Sequence, residues 1–335
     1  MKKIFIIIIV LIAGITIFFT QFDMGTIILN NWLQKLKSKH SSASLKLKEP
    51  LNQQINFSEL KKYAVMAKYA YKSDSEIINK YGIDNVVLIQ GIPNYNVNYY
   101  LLTGENKQLY LAIRGTSNIH NAIVDMKFDM ENDEKLNIQL HDGFRRSARN
   151  IFHKLVNQKF KNSEKTILQY YHQKGYQLNI TGHSLGGAIA NILLIYLQKN
   201  QYKVNKVITF GQPKITDEKG VNKYSQISLL RVQNGSDIVP LVPLNVALYN
   251  YKHFGDYLIL LKKEYFTYLN YELAAKIDDT SSWVDLGIDI LGNKGFNNSL
   301  KKGLVHHGID QYIQQIDYKI KSQKQVYFVD QQKYK

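Results

Sequence analysis

The chain has 335 residues, of which 45% are hydrophobic and 21% charged, so it has a globular composition and is not disordered throughout. Lys and Arg outnumber Asp and Glu by 43 to 27, and the net charge of +16 suits an anionic surface such as lipid headgroups. Cys is absent, which excludes disulfides, Cys-ligated zinc, iron–sulfur clusters and thiol catalysis.

The N-terminus predicts a segment that enters a membrane. Lys2 and Lys3 precede an apolar run at residues 4–20, which would span roughly 25 Å as a helix. The residues after it are a poor site for signal cleavage, so we expect an uncleaved signal anchor over 1–22, with a cleaved signal peptide as the alternative. A basic start before an apolar run is typical of export. We therefore expect the catalytic part outside the cytoplasm, anchored to the membrane or, after cleavage, secreted.

Composition divides the remainder into three parts. Residues 23–53 are polar and rich in Lys and Ser, which indicates a linker that can lie against anionic headgroups. Residues 54–318 have the pattern of a folded domain, and 319–335 form a basic, polar C-terminal tail.

Strand-like and helix-like segments alternate through the domain. Ser58 is a good N-cap for a helix whose apolar residues recur at helical spacing (Leu60, Ala64, Ala67 and Tyr71). A second helix is predicted over 144–155. Strands are predicted at 98–103, 108–114, 176–181, 206–210 and 226–233. The alternation predicts an α/β fold, with a mainly parallel central sheet covered by helices on both faces.

The motif Gly182-His183-Ser184-Leu185-Gly186 lies between the strand at 176–181 and an apolar helix at 188–197. A serine in such a tight turn projects its hydroxyl at the carboxyl end of the sheet, from a strained backbone conformation. Because the helix begins there, the amide of Leu185 can point at a developing oxyanion. Ser184 is therefore the candidate nucleophile.

A serine nucleophile needs an acid and a base, expected after it in that order. Asp237 follows the strand at 226–233 in a short polar loop, where sheet enzymes place acids. It is favoured over Asp217, interpreted as a surface charge, and over Asp256, interpreted as the start of a strand.

Three histidines follow Asp237 in the chain: His253, His306 and His307. His253 lies close to a predicted strand start. His306 and His307 precede an amphipathic helix, on a loop that can reach over the sheet end, and the residues alone favour the two equally as the base. Neither a carboxylate nor a second His at suitable spacing supports a metal at this pair, so we expect no metal.

The second oxyanion donor is expected at the end of an earlier strand. Gly115 permits a sharp exit from the strand at 108–114, and Thr116 then offers an amide and a hydroxyl. In the following segment Ile119, Ile123 and Met126 recur at helical spacing, which predicts a short amphipathic lid helix.

Together these segments resemble the class 3 lipase family of α/β-hydrolases, typified by fungal triacylglycerol lipases. The matching motifs occur in the family's order over roughly 57–316: Arg114-Gly115-Thr116 with Asp125, His141-Asp142-Gly143-Phe144, Gly182 to Ala188, Thr209-Phe210-Gly211-Gln212-Pro213, Asn234 to Pro243, His253-Phe254-Gly255, and His307 with Tyr312.

The resemblance implies Ser184 as nucleophile, Asp237 as acid and His307 as base, since the family's histidine stands five positions before a tyrosine. It also implies Thr116 and Leu185 as the oxyanion hole. His253 matches a position that is not catalytic. Lys214, where Arg is common, and Ala122, where Trp is common, depart from the family's pattern outside the triad.

We therefore expect a serine hydrolase that cleaves acyl esters of glycerolipids, of the triacylglycerol or diacylglycerol lipase or phospholipase A1 type. The expected partners are a lipid aggregate and an anionic membrane surface, with no cofactor, no nucleic acid and no protein partner. The alternatives are a soluble short-chain carboxylesterase, an acyltransferase with the same residues, and a non-catalytic, membrane-tethered binding module.

Overall fold

The computed structural model describes residues 53–92, 97–116, 129–161, 163–235, 237–243, 250–278 and 303–328. All of them lie in one unit of the chain, Glu49–Lys335. The predicted anchor (1–22), the linker up to residue 52 and the predicted lid helix lie outside the described residues. Within the described residues, no helix combines the length and the apolar character needed to cross a membrane.

Helices and strands alternate along most of the described chain. The helices are α1 (Phe57–Tyr69), α2 (Asp74–Tyr81), α3 (Asp142–Asn157), α4 (Ile167–Gln173), α5 (Leu185–Lys199), α6 (Glu218–Lys223), α7 (Tyr271–Asp278) and α8 (Ile309–Lys321). The strands are β1 (Val86–Ile92), β2 (Val97–Gly104), β3 (Gln108–Ile113), β4 (Met130–Asp133), β5 (Ile138–His141), β6 (Gln177–His183), β7 (Val204–Phe210), β8 (Leu230–Asn234), β9 (Asp256–Leu260), β10 (Tyr265–Leu269) and β11 (Lys324–Gln325). A 3₁₀ turn at Val239–Leu241 and a helical turn at 303–307 complete the assignment.

Nine of the described strands form one mixed sheet in the order β1-β2-β3-β6-β7-β8-β9-β10-β11. The central strands β3, β6, β7, β8 and β9 are parallel, as the sequence predicts. Antiparallel pairs flank this block, with β1 and β2 on one side and β9 and β10 on the other. The carboxyl ends of the central strands therefore share one edge, which is where α/β sheets place their sites.

Helices cover both faces of the sheet, which confirms the predicted layers. Along β3, Leu109, Leu111 and Ile113 belong to the core that includes residues of α3 and α5. Tyr110 and Ala112 belong to the opposite core, with residues of α1 and α8. Because successive side chains of a strand point to opposite faces, a strand buried on both sides has a continuous apolar run.

The first turn of α5 packs directly against the end of β3. A Cβ built on Gly186 would lie 2.2 Å from the carbonyl oxygen of Ile113 and 2.9 Å from the backbone nitrogen of Gly115. These neighbours are backbone atoms, which cannot move aside as a side chain can. Glycine at this position therefore lets the helix begin against the strand end and sets where Ser184 lies.

The C-terminal boundary of the domain differs from the predicted one. Helix α8 continues through residue 318 to Lys321, and β11 then pairs in parallel with β10. The ammonium of Lys319 is buried and donates to the carbonyl oxygens of Leu261 and Lys263, each at 2.7 Å. Residues predicted as a basic tail from 319 onward thus include part of the folded domain, because a lysine bonded to carbonyl groups can be buried.

The close contact at Gly186 predicts that an added methyl group destabilises the protein there more than at Gly143. Gly186→Ala should lower the free energy of unfolding by about 1–3 kcal/mol, because the new Cβ overlaps backbone. Gly143→Ala is the matched control in α3, where the nearest atom to a built Cβ is 3.5 Å away. It should remain within about 1 kcal/mol of the parent protein. Denaturant unfolding followed by circular dichroism measures both, and equal stabilities would contradict the packing argument.

Candidate active site

Ser184 occupies the turn between β6 and α5 with a left-handed backbone conformation, φ 58° and ψ −132°. Its amide donates to the carbonyl oxygen of Phe210 at 2.8 Å, which ties the turn to the end of β7. Although Ser184 is the N-cap of α5, its hydroxyl makes no capping hydrogen bond. Serine is thus held in a disfavoured conformation while its hydroxyl stays available for another task.

Asp237 and His307 are in direct contact. His307 Nδ1 lies 2.8 Å from Asp237 Oδ2, and both side chains are almost fully buried. The other carboxylate oxygen accepts from the amide of Val239 at 2.9 Å, and the Tyr312 hydroxyl donates to Oδ2. Burial, followed by the charge of Asp237, raises the pKa of Tyr312 well above its usual value, so this phenol stays a donor.

The polypeptide around His307 is also bonded to the sheet end. The side chain of Asn234, at the end of β8, donates to the carbonyl oxygen of His306 at 2.9 Å. The imidazole of His183 lies 2.7 Å from the carbonyl oxygen of His307, through Nε2. The rings of His183 and His307 lie 4.5 Å apart between centroids. His183, the residue before Ser184, therefore contacts His307, which is bonded to Asp237.

Two buried polar atoms complete the cluster. Within the described part of the chain, Ser184 Oγ and His307 Nε2 make no hydrogen bond, either to each other or to another residue. Both groups adjoin the end of β7, because Ser184 bonds to Phe210 and a Cβ built on Gly211 would lie 2.8 Å from Asp237 Oδ2 and from His307 Cε1. Buried atoms of this kind call for an explanation, and a nucleophile with its base supplies one.

The rival carboxylates and histidines have other surroundings. Asp217 caps α6 by accepting from the amide of Gly220 at 2.8 Å. Asp256 begins β9 and accepts from the Tyr268 hydroxyl at 2.7 Å. His253 Nε2 lies 2.7 Å from the carbonyl oxygen of Pro240. His307, and not His306, is the histidine that the structure brings to Asp237.

The predicted oxyanion donors belong to segments that adjoin Ser184. Leu185 is the first residue of α5. Thr116 follows Gly115 just beyond β3, and a Cβ built on Gly115 would lie 3.0 Å from the Cβ of Ser184. The exit from β3 thus adjoins the serine turn. Within the described residues, no group of three or more His, Asp or Glu side chains is arranged to hold a metal ion.

Sequence reasoning missed the contacts of Tyr71 and gave no role to His183. The Tyr71 hydroxyl lies 2.9 Å from His183 Nδ1, and burial raises the pKa of Tyr71. The helical spacing identified Tyr71 only as an apolar position. Its contact with His183 crosses more than a hundred residues of chain, so no local pattern signals it.

Comparison with known proteins adds independent findings. Residues 110–247 match the family model described as lipase (class 3). A lipase of Rhizomucor miehei is 29% identical over 171 residues, which cover 48% of this chain and 44% of that protein. A secreted mono- and diacylglycerol lipase of Fusarium solani is 28% identical over 162 residues, covering 46% of this chain and 44% of that one. The chain thus spans less than half the length of these curated relatives.

A solved triacylglycerol lipase, whose catalytic centre is described as a serine protease triad, is similar in fold and is 25% identical. The superposition has a TM-score of 0.52 and covers 61% of this chain and 79% of that one. The likeness therefore extends over most of the solved enzyme, beyond the segment that the family model matches.

The backbone conformation of Ser184 predicts stored strain. A non-glycine residue in such a conformation costs about 1–3 kcal/mol, which Ser184→Gly should release. We expect Ser184→Gly to exceed both the parent protein and Ser184→Ala in free energy of unfolding, by about 1 kcal/mol after the entropic cost of glycine. Thermal and urea unfolding measure the difference. If Ser184→Gly is no more stable than Ser184→Ala, the turn holds no strain.

Proposed function

We propose that this chain, whose residues 110–247 match the class 3 lipase model, is a member of that family and a serine hydrolase that cleaves acyl esters of glycerolipids. The observation that carries the proposal is the buried hydrogen bond between His307 and Asp237, at the strand end that also holds Ser184. A nucleophile, a base and an acid that orients the base are the groups that acyl transfer needs.

In the proposed first step, His307 Nε2 takes the proton of Ser184 as Oγ attacks the ester carbonyl carbon. The C–O double bond opens to an oxyanion, and the amides of Thr116 and Leu185 donate to it. When the tetrahedral intermediate collapses, the ester bond breaks and the leaving alcohol takes the proton from His307. Ser184 then carries the acyl group.

In the second step, water attacks the acyl-enzyme with His307 again as base. The bond between the acyl carbon and Ser184 Oγ breaks, the serine regains its proton and the fatty acid leaves. The Asp237 side chain accepts from His307 Nδ1, from Tyr312 and from the amide of Val239. It stabilises the positive imidazolium that forms in each step.

Glycerolipid esters are the proposed substrates. The name of the Fusarium solani relative specifies mono- and diacylglycerol, and the solved neighbour is a triacylglycerol lipase. The net charge of +16 would concentrate the protein at an anionic lipid surface, where such esters are presented. A soluble short-chain ester is the test substrate that separates the chemistry from this surface effect.

We also propose that the catalytic domain acts outside the cytoplasm. The support is the sequence of Lys2 and Lys3 followed by the apolar run at 4–20, together with the relative named as a secreted enzyme. The proposal covers two forms, tethered by 1–22 or released by cleavage. Sequencing the N-terminus of the protein recovered from cells distinguishes them.

Hydrolysis of p-nitrophenyl butyrate by the full chain tests the proposed chemistry. The parent protein should turn the ester over, and Ser184→Ala should lower kcat about 10⁴-fold or more, because the nucleophile is lost. Ser147→Ala is the matched control, since this buried hydroxyl donates to the carbonyl oxygen of Gly143 in α3. A folded parent protein without turnover, or a Ser184→Ala variant as active as the parent, would contradict the proposal.

Asp237→Asn should separate orientation from folding. The amide can still bond to His307 but favours the wrong tautomer of the ring, so kcat should fall about 10⁴-fold. Asp217→Asn is the control, because Asn is as good an N-cap as Asp for α6. Steady-state kinetics and melting curves of both variants measure the effect. An Asp237→Asn enzyme within tenfold of the parent would remove Asp237 from the mechanism.

A further inference from the structure

Next to the proposed catalytic residues, hydrogen bonds link Tyr71 to His183 and His183 to the backbone of His307. The Tyr71 hydroxyl packs against Gly115, where a built Cβ would lie 2.6 Å from the hydroxyl oxygen. That hydroxyl lies 2.9 Å from His183 Nδ1, and His183 Nε2 lies 2.7 Å from the carbonyl oxygen of His307. Four segments far apart in sequence are thereby joined through two side chains.

The direction of each hydrogen bond is determined by its partners. A carbonyl oxygen can only accept, so His183 Nε2 carries a proton and donates to His307. His183 is fully buried, and burial followed by the nearby His307 lowers its pKa well below the usual value, so the ring is neutral. Its Nδ1 is then an acceptor, and the Tyr71 hydroxyl donates to it.

These contacts join the elements that carry the proposed catalytic groups. Gly115 precedes Thr116 at the exit from β3, His183 precedes Ser184, and the last acceptor is the backbone of His307 itself. Gly115 packs closely against both Tyr71 and His183. A Cβ on Gly115 would lie 2.6 Å from the Tyr71 hydroxyl oxygen and 2.6 Å from the carbonyl oxygen of His183.

A neutral ring at position 183 also suits the charge that the mechanism creates. The His307 ring becomes positive in each step, and its centroid is 4.5 Å from that of His183. A second positive imidazole at that distance would oppose the developing charge. A bridge that holds His183 neutral, by directing a phenol proton at Nδ1, removes this opposition.

We propose that Tyr71 and His183 are positioning residues. They hold the exit from β3, which carries Thr116, and the backbone of His307 in place next to Ser184. The inference rests on the proposed hydrolase function. Neither side chain is assigned contact with the substrate. Both act through the residues they hold, so their loss should change kcat more than KM.

The first test compares Tyr71→Phe with Tyr63→Phe in the full chain, with p-nitrophenyl butyrate as substrate. Tyr63 is a buried tyrosine that donates to Asn179 Oδ1 at 3.0 Å, near the other end of β6. Tyr71→Phe should lower kcat about tenfold or more with KM changed less than twofold, because only the bridging hydroxyl is removed. Tyr63→Phe should leave both constants unchanged.

The second test uses substitutions of His183 that differ in bonding. Gln can donate and accept as the neutral ring does, whereas Leu can do neither. His183→Gln should therefore retain at least tenfold more kcat than His183→Leu. Adding Tyr71→Phe to His183→Leu should cause no further loss of kcat, since the bridge is already broken. Adding Tyr63→Phe to Tyr71→Phe or to His183→Leu should change kcat only by the effect of Tyr63→Phe alone.

The outcomes distinguish failure of the proposed hydrolase function from failure of the positioning role of Tyr71 and His183. A parent protein without turnover contradicts the proposed function and the inference with it. With turnover established, a Tyr71→Phe enzyme equal to the parent, or His183→Leu equal to His183→Gln, overturns the inference alone. A loss that appears equally in Tyr63→Phe would show a general effect of buried hydroxyls and would overturn it as well.

Discussion

The proposed active site depends on a buried hydrogen bond of 2.8 Å between His307 and Asp237. The two residues are 70 positions apart, so the bond depends on tertiary structure: Asp237 follows β8, which pairs with β9, and His307 lies just before α8. Helix α8 brings Tyr312 to the same carboxylate. Because Nδ1 carries the proton toward Asp237, Nε2 is left as an acceptor, which is the state that a base for Ser184 needs.

Much of this arrangement could be predicted because its causes are local. Gly186 and the positive φ of Ser184 belong to one short turn, and the strand before it and the helix after it have clear patterns. The place of Asp237 after a predicted strand favours it as the acid. The residues alone did not separate His306 from His307, since adjacent positions point in different directions and only the docking of the turn at 303–307 decides between them.

Other features depend on tertiary contacts that no local pattern encodes. Lysine is usually exposed, and the basic, polar pattern of 319–335 predicts a tail, yet Lys319 is buried. It is accommodated by the carbonyl oxygens of Leu261 and Lys263, and burial lowers its pKa to about 7. The same holds for Tyr71, which has the spacing of a core residue but whose hydroxyl meets His183 across the sheet end. Polar groups inside a core are placed by partners remote in sequence.

The most direct test of the account is a crystal structure of the full chain after reaction with an alkyl fluorophosphonate. We predict a covalent bond between Ser184 Oγ and phosphorus, with His307 Nε2 within about 3 Å of that oxygen. The phosphoryl oxygen should lie within hydrogen-bonding distance of the Thr116 and Leu185 amides. An unmodified Ser184 in the folded protein, or an adduct with the His307 ring turned away from it, would contradict the account.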